Sequence, residues 1–205
     1  MLKNLGEDRE GMENNLKIVF ATGNPHKLQE INDISSDSGV EFVLPPSGFN
    51  PVENGNTFAE NSYIKAKEAA LLSGTVALAD DSGLCIEALN GEPGLNSARY
   101  DSTTELRINK VLKNLGDNPN RKAKFVCVMT LVDESGKILT QEKGECFGKI
   151  TYAPSGLNGF GYDPIFEVDG YGVTMADMSE DLKNSVSHRS MALGKIITYI
   201  KTSLM

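Results

Sequence analysis

Cysteine is scarce in this chain. There are three, Cys85, Cys127 and Cys146, odd in number and far apart. That spacing builds no disulfide framework, and without a close Cys pair or a Cys/His cluster it makes no structural zinc site. A reducing, cytoplasmic compartment is expected. Long apolar runs are missing too: no stretch of the 205 residues is long enough to span a bilayer, and Met1–Asn15 has no apolar signal core. Positive charge is in deficit, with 20 Lys and Arg against 28 Asp and Glu, a formal net charge of -8. A general nucleic-acid surface needs a basic face, so that class is disfavoured. A protein this acidic that binds a phosphorylated ligand must gather its few cations, or a metal, in one place.

What is present reads as one domain, or two lobes sharing a core, over residues 16–205. Met1–Asn15 lacks periodicity and reads as a disordered leader, with Met12 as an alternative start. Leu16–Ala21 is a short apolar strand. Asn24 is an N-cap and Pro25 suits the first helical position, so a helix runs to about Ile34. Val40–Leu44 is a second strand, and Pro45 and Pro46 open a loop through Asn56. Thr57 with Glu60 forms a capping box for a helix to Ser73, whose apolar face is Phe58, Ala66, Ala69, Ala70 and Leu72. Val76–Ala79 is a strand that ends at Asp80. Gly91–Ala98 is a loop, Thr104–Leu115 an amphipathic helix, and Lys124–Val132 a central strand apolar on both faces, with Cys127 a buried thiol. Asp133–Gly136 turns the chain back along Ile138–Tyr152. A glycine-rich stretch, Ala153–Tyr162, precedes a short helix over Asp177–Lys183, and Ser187 caps a last helix to about Ile200. Strands interleaved with helices, plus one hairpin, imply an α/β protein with an elongated mixed β-sheet flanked by helices.

Five constellations carry chemistry. Thr22-Gly23-Asn24-Pro25-His26-Lys27 is a strand-turn-helix whose free N–H groups and dipole suit an anion, with Lys27 adding charge; its spacing is not that of the common phosphate loop. Ala79-Asp80-Asp81-Ser82-Gly83 puts two carboxylates side by side, which repel unless a cation lies between or beside them, and Mg²⁺ takes such oxygen ligands. Glu53 precedes Asn61 and Lys65, which share one helix face. Gly159-Phe160-Gly161-Tyr162-Asp163 can lay a ring against a flat ligand, with Asp163 accepting from a ring N–H. Lys183 and Ser187-His188-Arg189 form a cationic cluster at a helix start. Taken singly, each has a plain structural explanation: a capped helix, an Asp-rich turn, a snorkelling lysine, an aromatic plug, surface charge.

Together they resemble the non-canonical purine nucleoside triphosphate pyrophosphatases, also called inosine triphosphate pyrophosphatases. The matching segments are Thr22-Gly23-Asn24-x-x-Lys27-x-x-Glu30, Phe58-x-Glu60-Asn61-x-x-x-Lys65-Ala66, Ala79-Asp80-Asp81-Ser82-Gly83-Leu84, Pro93-Gly94-x-x-Ser97-Ala98-Arg99-Tyr100, Gly159-Phe160-Gly161-Tyr162-Asp163-Pro164-Ile165-Phe166 and Lys183-Asn184-x-x-Ser187-His188-Arg189. They run in the family's order and cover nearly everything after Leu16. Ser62 stands where the family often has Ala, and the leader has no counterpart.

The resemblance implies two lobes around a central active-site cleft, a homodimer and Mg²⁺. It implies a nucleoside triphosphate (ITP, dITP or XTP) cleaved at the α-phosphorus to the monophosphate and pyrophosphate. Thr22, Gly23, Asn24, Pro25, His26 and Lys27 would cradle phosphates, His26 with no individual role. Glu53 and Asp81 would hold the metal, with Asp81 also the usual proton acceptor. A metal-bound carboxylate is a poor base, so Asp81 chiefly positions metal and water. Lys27 and Lys65 would neutralise the leaving group, with Asn61 beside Lys65, and Ser82 would touch substrate. Phe160, Gly161, Tyr162, Asp163, Lys183, His188 and Arg189 would form the nucleoside pocket, Arg189 or a backbone N–H meeting the purine O6. A Maf-type pyrophosphatase for pyrimidine or modified nucleotides, a non-catalytic nucleotide sensor and a nucleic-acid-binding module are the competing readings.

Overall fold

The computed structural model describes residues 15–205, so the expected leader, including Met12, lies outside the described residues apart from Asn15. Strand β1 (Leu16–Phe20) leads through α1 (Pro25–Ile34) to β2 (Val40–Val43), and α2 (Phe58–Ser73) leads to β3 (Ala77–Ile86). Then come α3 (Thr104–Leu115), β4 (Lys122–Val132), β5 (Ile138–Ile150), β6 (Phe166–Val168), α4 (Glu180–Val186) and α5 (His188–Ser203). Among the described residues the strands form one six-stranded sheet in the order β2-β1-β3-β4-β5-β6. Helical crossovers make β2, β1 and β3 parallel, while β3 to β6 pair antiparallel. The sheet is mixed, as the interleaved pattern implied.

The length of the middle strands creates the two lobes. β3, β4 and β5 have 10, 11 and 13 residues, on the order of 35–45 Å at a strand's rise per residue. One helix pair cannot cover that length. At one end, α2 lays Ala66, Ala69 and Ala70 against Val19, Ala77 and Ala79 on one face. On the other face α5 packs Ala192, Leu193, Ile196 and Ile200 with Ile18, Phe20 and Ile31. The far end has its own core, in which Ile108, Val111 and Leu115 of α3 meet Leu84, Ile86, Phe125, Ile165, Phe166 and Met175. Asp80 to Gly83 lie on β3 where one core gives way to the other.

Local signals set the helix starts as the sequence predicts. Asn24 accepts from the His26 N–H, Thr57 from the Glu60 N–H and Ser187 from the Ser190 N–H. The Glu60 carboxylate turns back to the Asn56 N–H, one residue earlier than a standard capping box. Four expectations are corrected. β3 does not stop at Ala79; the Asp-Asp-Ser-Gly segment pairs residue for residue with Met129 to Val126, and a full ladder outweighs weak turn propensity. The segment expected as a loop over Gly91–Ala98 contains a bridge from Pro93 to Cys85 and a 3₁₀ turn, Gly94–Arg99. The helix expected at Asp177 starts at Glu180, because Ser179 caps it while Thr174 caps a separate turn, Met175–Asp177. Leu72 is exposed, and α2 instead buries Asn61, Ser62 and Lys65 beside its alanines.

α5 seats closely on β5 at Gly144, where a Cβ would strike the His188 carbonyl and the Ala192 N–H. Overpacking of this kind costs about 1–3 kcal/mol. Gly144→Val should therefore lower Tm by several degrees in a thermal melt. An unchanged Tm would mean that α5 does not sit against the sheet at this point.

Candidate active site

Successive side chains on a strand point to opposite faces. Asp80 and Asp81 therefore take different hydrogen-bond partners, although the Lys65 charge acts on both. Asp81 faces α2, where Asn61 and Lys65, one turn apart, reach it together. Asn61 Nδ2 donates to Asp81 Oδ2 at 3.2 Å, and Lys65 Nζ lies 3.4 Å from Asp81 Oδ1 and 3.5 Å from Glu53 Oε2. Asn61 Oδ1 also accepts from the Gly55 N–H at 2.8 Å, tying down the Pro-rich loop that carries Glu53. Two carboxylates meet one ammonium, so this side carries a net charge of -1. Burial raises the Asp81 carboxyl above the usual range; Lys65 and the Asn61 hydrogen bond oppose it, and Asp80 and Glu53 add to it. Burial works against the Lys65 ammonium, but Asp80, Asp81 and Glu53 outweigh it and hold its pKa high.

Asp80 and Ser82 face α1 and α5 instead. Lys27 Nζ donates to both Asp80 oxygens, at 3.0 and 2.9 Å. Arg189 Nη2 donates to Asp80 Oδ2 and to Ser82 Oγ, each at 3.2 Å, and Nη1 to Glu30 Oε2 at 2.6 Å. Lys183 Nζ lies 3.9 Å from Glu30 Oε1 and 2.9 Å from Asp163 Oδ2. The result is an alternating chain, Lys27–Asp80–Arg189–Glu30–Lys183–Asp163, with three charges of each sign. Burial disfavours the Asp80 carboxylate, yet Lys27, Arg189 and Lys65 hold its pKa far below the carboxylate range. Burial also disfavours the Arg189 guanidinium, but Glu30 and Asp80 raise its pKa. At the end of the chain, Asp163 is lifted by burial against the pull of Lys183.

A cavity of about 160 Å³ opens beside this chain, lined by Lys27, Ser82, Phe160, Lys183, His188 and Arg189 among others. A second, of about 280 Å³, is lined by His26, Glu30 and Asn158 among others. Phe160 and Lys183 line both cavities. Lys183 Nζ sits 4.6 Å from the Phe160 ring centroid, and the His26 ring is stacked 6.4 Å away. Gly159 makes the turn possible: its φ is +73°, and a Cβ there would strike the Asp163 carboxylate.

The remaining site residues of the sequence fall around this centre. Thr22 Oγ1 accepts from the Asn24 N–H at 3.0 Å, closing the turn through Gly23 to Pro25. Gly161 and Tyr162 line the first cavity. Tyr162 is buried and donates to the Ser97 carbonyl at 2.9 Å. His188 stacks on Phe125, with centroids 4.8 Å apart. Two of the expected base-pocket residues are partly engaged already. Asp163 Oδ2 accepts from the Phe160 N–H and pairs with Lys183. Arg189 is 2% exposed and donates from Nη1 to Glu30 and from Nη2 to Asp80 and Ser82, while its Nε has no partner.

From the sequence, Asp80 had a place only as the neighbour of Asp81 in a paired carboxylate, and Glu30 only as the end of a matching segment. Glu30 stands three residues after Lys27, on the same helix face and next to buried Ile31, which is a poor place for a carboxylate without a cation partner. That was the available signal. Arg107 and Phe125 on the cavity wall come from the other lobe, and nothing local marked them; Ser97 beside them entered only as part of the matching segment Pro93 to Tyr100.

The Ham1 family model matches residues 18–199. The chain belongs to the Ham1 family. It is 45% identical over 180 residues to a dITP/XTP pyrophosphatase of Nostoc sp., covering 88% of this chain and 92% of that protein. It is also 45% identical over 198 residues to a dITP/XTP pyrophosphatase of Treponema denticola, covering 92% and 100%. Among solved structures, a HAM1 protein from Coxiella burnetii superposes with a TM-score of 0.83 at 41% identity, covering 92% of this chain and 100% of that one. The Staphylococcus aureus Ham1 protein gives 0.81 at 36%, covering 91% and 98%. The family resemblance and the mixed α/β architecture are both borne out.

His188 generates a pH prediction. Burial, with the Arg189 charge, lowers its pKa well below 6.5. The unfolded chain takes up a proton near pH 6.5 and the folded chain does not, so stability falls as the pH drops below that value, by up to about 1.4 kcal/mol per unit. Replacing His188 with Gln should remove this slope between about pH 6.5 and 5. Denaturant melts of the two proteins at several pH values test it; parallel curves would show that His188 titrates alike in both states.

Proposed function

We propose that this protein hydrolyses non-canonical purine nucleoside triphosphates (ITP, dITP and XTP) to the monophosphate and pyrophosphate. The observation that carries the reading is the division of β3. Asp81 joins Lys65 and Glu53 on one face, while on the other a cavity lined by Lys27, Lys183, Arg189 and Phe160 has the charge and flatness for a phosphorylated base. Family membership and relatives named dITP/XTP pyrophosphatase support the substrate class.

Glu53 and Asp81 are the residues that would hold Mg²⁺. Their fit rests on donor chemistry: two carboxylates converge on one ammonium with a charge of -1 left over, and Asp81 is lifted by its surroundings. Mg²⁺ uses one or two protein carboxylates and completes its shell with phosphate and water. When bound, it would supply fixed positive charge to the phosphate oxygens. Among the described residues no three His, Cys, Asp or Glu side chains form a closed metal cluster.

The chain's own residues do the rest. Thr22 to Lys27 take the phosphates, and Lys27 and Lys65 balance the charge that develops as the bridging P–O bond breaks. Asp81, steadied by Asn61, aims the attacking water at the α-phosphorus. Phe160 covers one face of the base. Hypoxanthine and xanthine offer an O6 acceptor where adenine has an amine donor, so donors at Lys183, Arg189 and the loop backbone favour the former. The protein acts on a small molecule rather than nucleic acid, consistent with its net charge. We place it in the cytoplasm as a homodimer. Leu71 and Leu72, exposed on the outer face of α2, favour association, and no helix among the described residues is long and apolar enough to cross a membrane.

Incubation with Mg²⁺ and inosine, xanthosine, adenosine, guanosine and pyrimidine triphosphates in turn should release pyrophosphate, fastest from the first two. Orthophosphate alone would reject attack at the α-phosphorus. Asp81→Asn should lower kcat by roughly 10²-fold or more. Turnover within about tenfold of the parent would remove Asp81 from the centre of the mechanism.

A further inference from the structure

Asp80 is assigned nothing by the reaction just described, yet it is the best-compensated carboxylate in the cleft. It is 1% exposed, lies at the crossing of α1, α5 and β3, and accepts from Lys27 twice, from Arg189 and from the Ser82 hydroxyl. Stability alone gives little reason for such a group. A buried ion pair recovers about what its desolvation costs, and apolar residues of similar volume often serve as well. Its partners are the informative part. Lys27 is a cation of the phosphate end and Arg189 one of the base pocket, both line the same cavity, and Asp80 is the one carboxylate among the described residues that bonds to both.

We propose that Asp80 is a positioning residue that ties phosphate capture to base selection. This inference rests on the reading that the cleft binds a nucleoside triphosphate. Lys27 has two possible partners, the Asp80 carboxylate and a phosphate oxygen, and its ammonium cannot satisfy both at close range with undiminished strength. A phosphate that draws Lys27 away leaves Asp80 with Arg189 and Ser82. Asp80 then grips Arg189 more firmly, since one of its three compensating donors has gone. The guanidinium is fixed from both sides, by Glu30 at Nη1 and by Asp80 at Nη2, when a correct base must be told from a wrong one. The competition also makes phosphate binding weaker than Lys27 alone would make it, which favours release of pyrophosphate.

The test uses inorganic pyrophosphate as the probe, titrated calorimetrically into the full chain, so it does not depend on turnover. Asp80→Asn keeps the shape and removes the charge. It should bind pyrophosphate about tenfold or more tightly, as expected for losing a close charge competitor. In a Lys27→Gln background the same Asp80→Asn change should have little effect, because the competition acts through Lys27. Equal tightening in both backgrounds would reduce the effect to bulk charge and overturn the proposal; so would unchanged or weaker binding by a folded single variant. Should Asp80→Asn fail to fold, the Lys27→Gln/Asp80→Asn protein, which loses one charge of each sign, carries the second arm. Its ratio of kcat/KM for ITP over ATP should fall below that of Lys27→Gln, through the loosened Arg189, and an unchanged ratio would overturn the proposal. Failure of the parent protein to hydrolyse any triphosphate would instead sink the functional reading, with the pyrophosphate titrations still deciding the role of Asp80.

Discussion

The alternation of side chains along β3 is the constraint on which the rest of the cleft depends. Asp80 and Asp81 are neighbours in sequence, yet the pleat sends one to α1 and α5 and the other to α2. Two chemically different compartments therefore stand back to back across a single backbone. One is a neutral alternation of charges around a flat aromatic ring. The other is a small acidic corner with a buried lysine. A one-residue slip in the β3–β4 register would exchange the two carboxylates, so the long ladder with β4 is as much a part of the site as any side chain.

Charge balance explains why so many ionised groups tolerate burial here. Each cation of the α1–α5 side touches a carboxylate and each carboxylate a cation, which is the condition under which desolvation can be offset. His188, in the same neighbourhood, is held toward the neutral form, first by burial and then by the Arg189 charge. On the α2 side the balance is left incomplete, with two carboxylates on one ammonium.

Much of this was readable before any coordinates, and the division follows the range of the interactions. Asn24, Thr57 and Ser187 announce helix starts because their hydrogen-bond partners lie two or three residues away. Lys65 among its alanines read by itself as a snorkelling lysine, and its burial depends on Asp81 and Glu53, which come from other elements. The true extent of β3 could not be inferred, because the strand is stabilised by residues some 50 positions along the chain. Nor could the tie between Arg189 and Glu30, which are 159 residues apart. α4 was misplaced for another reason: Thr174 and Ser179 are both competent caps five residues apart, and sequence alone does not rank them.

The strands that separate the two cores are also what joins them. β3, β4 and β5 pass from one lobe to the other without a break in pairing beyond the irregularity at Leu131 and Val132. Among the described residues no loop interrupts these strands at the cleft floor to act as a hinge. Any change in the width of the mouth has to be taken up as a small increment of twist spread over three bonded strands. A cleft floored in this way bends like a leaf spring rather than swinging like a door if its mouth changes width, with the restoring force in the sheet that carries Asp80 and Asp81.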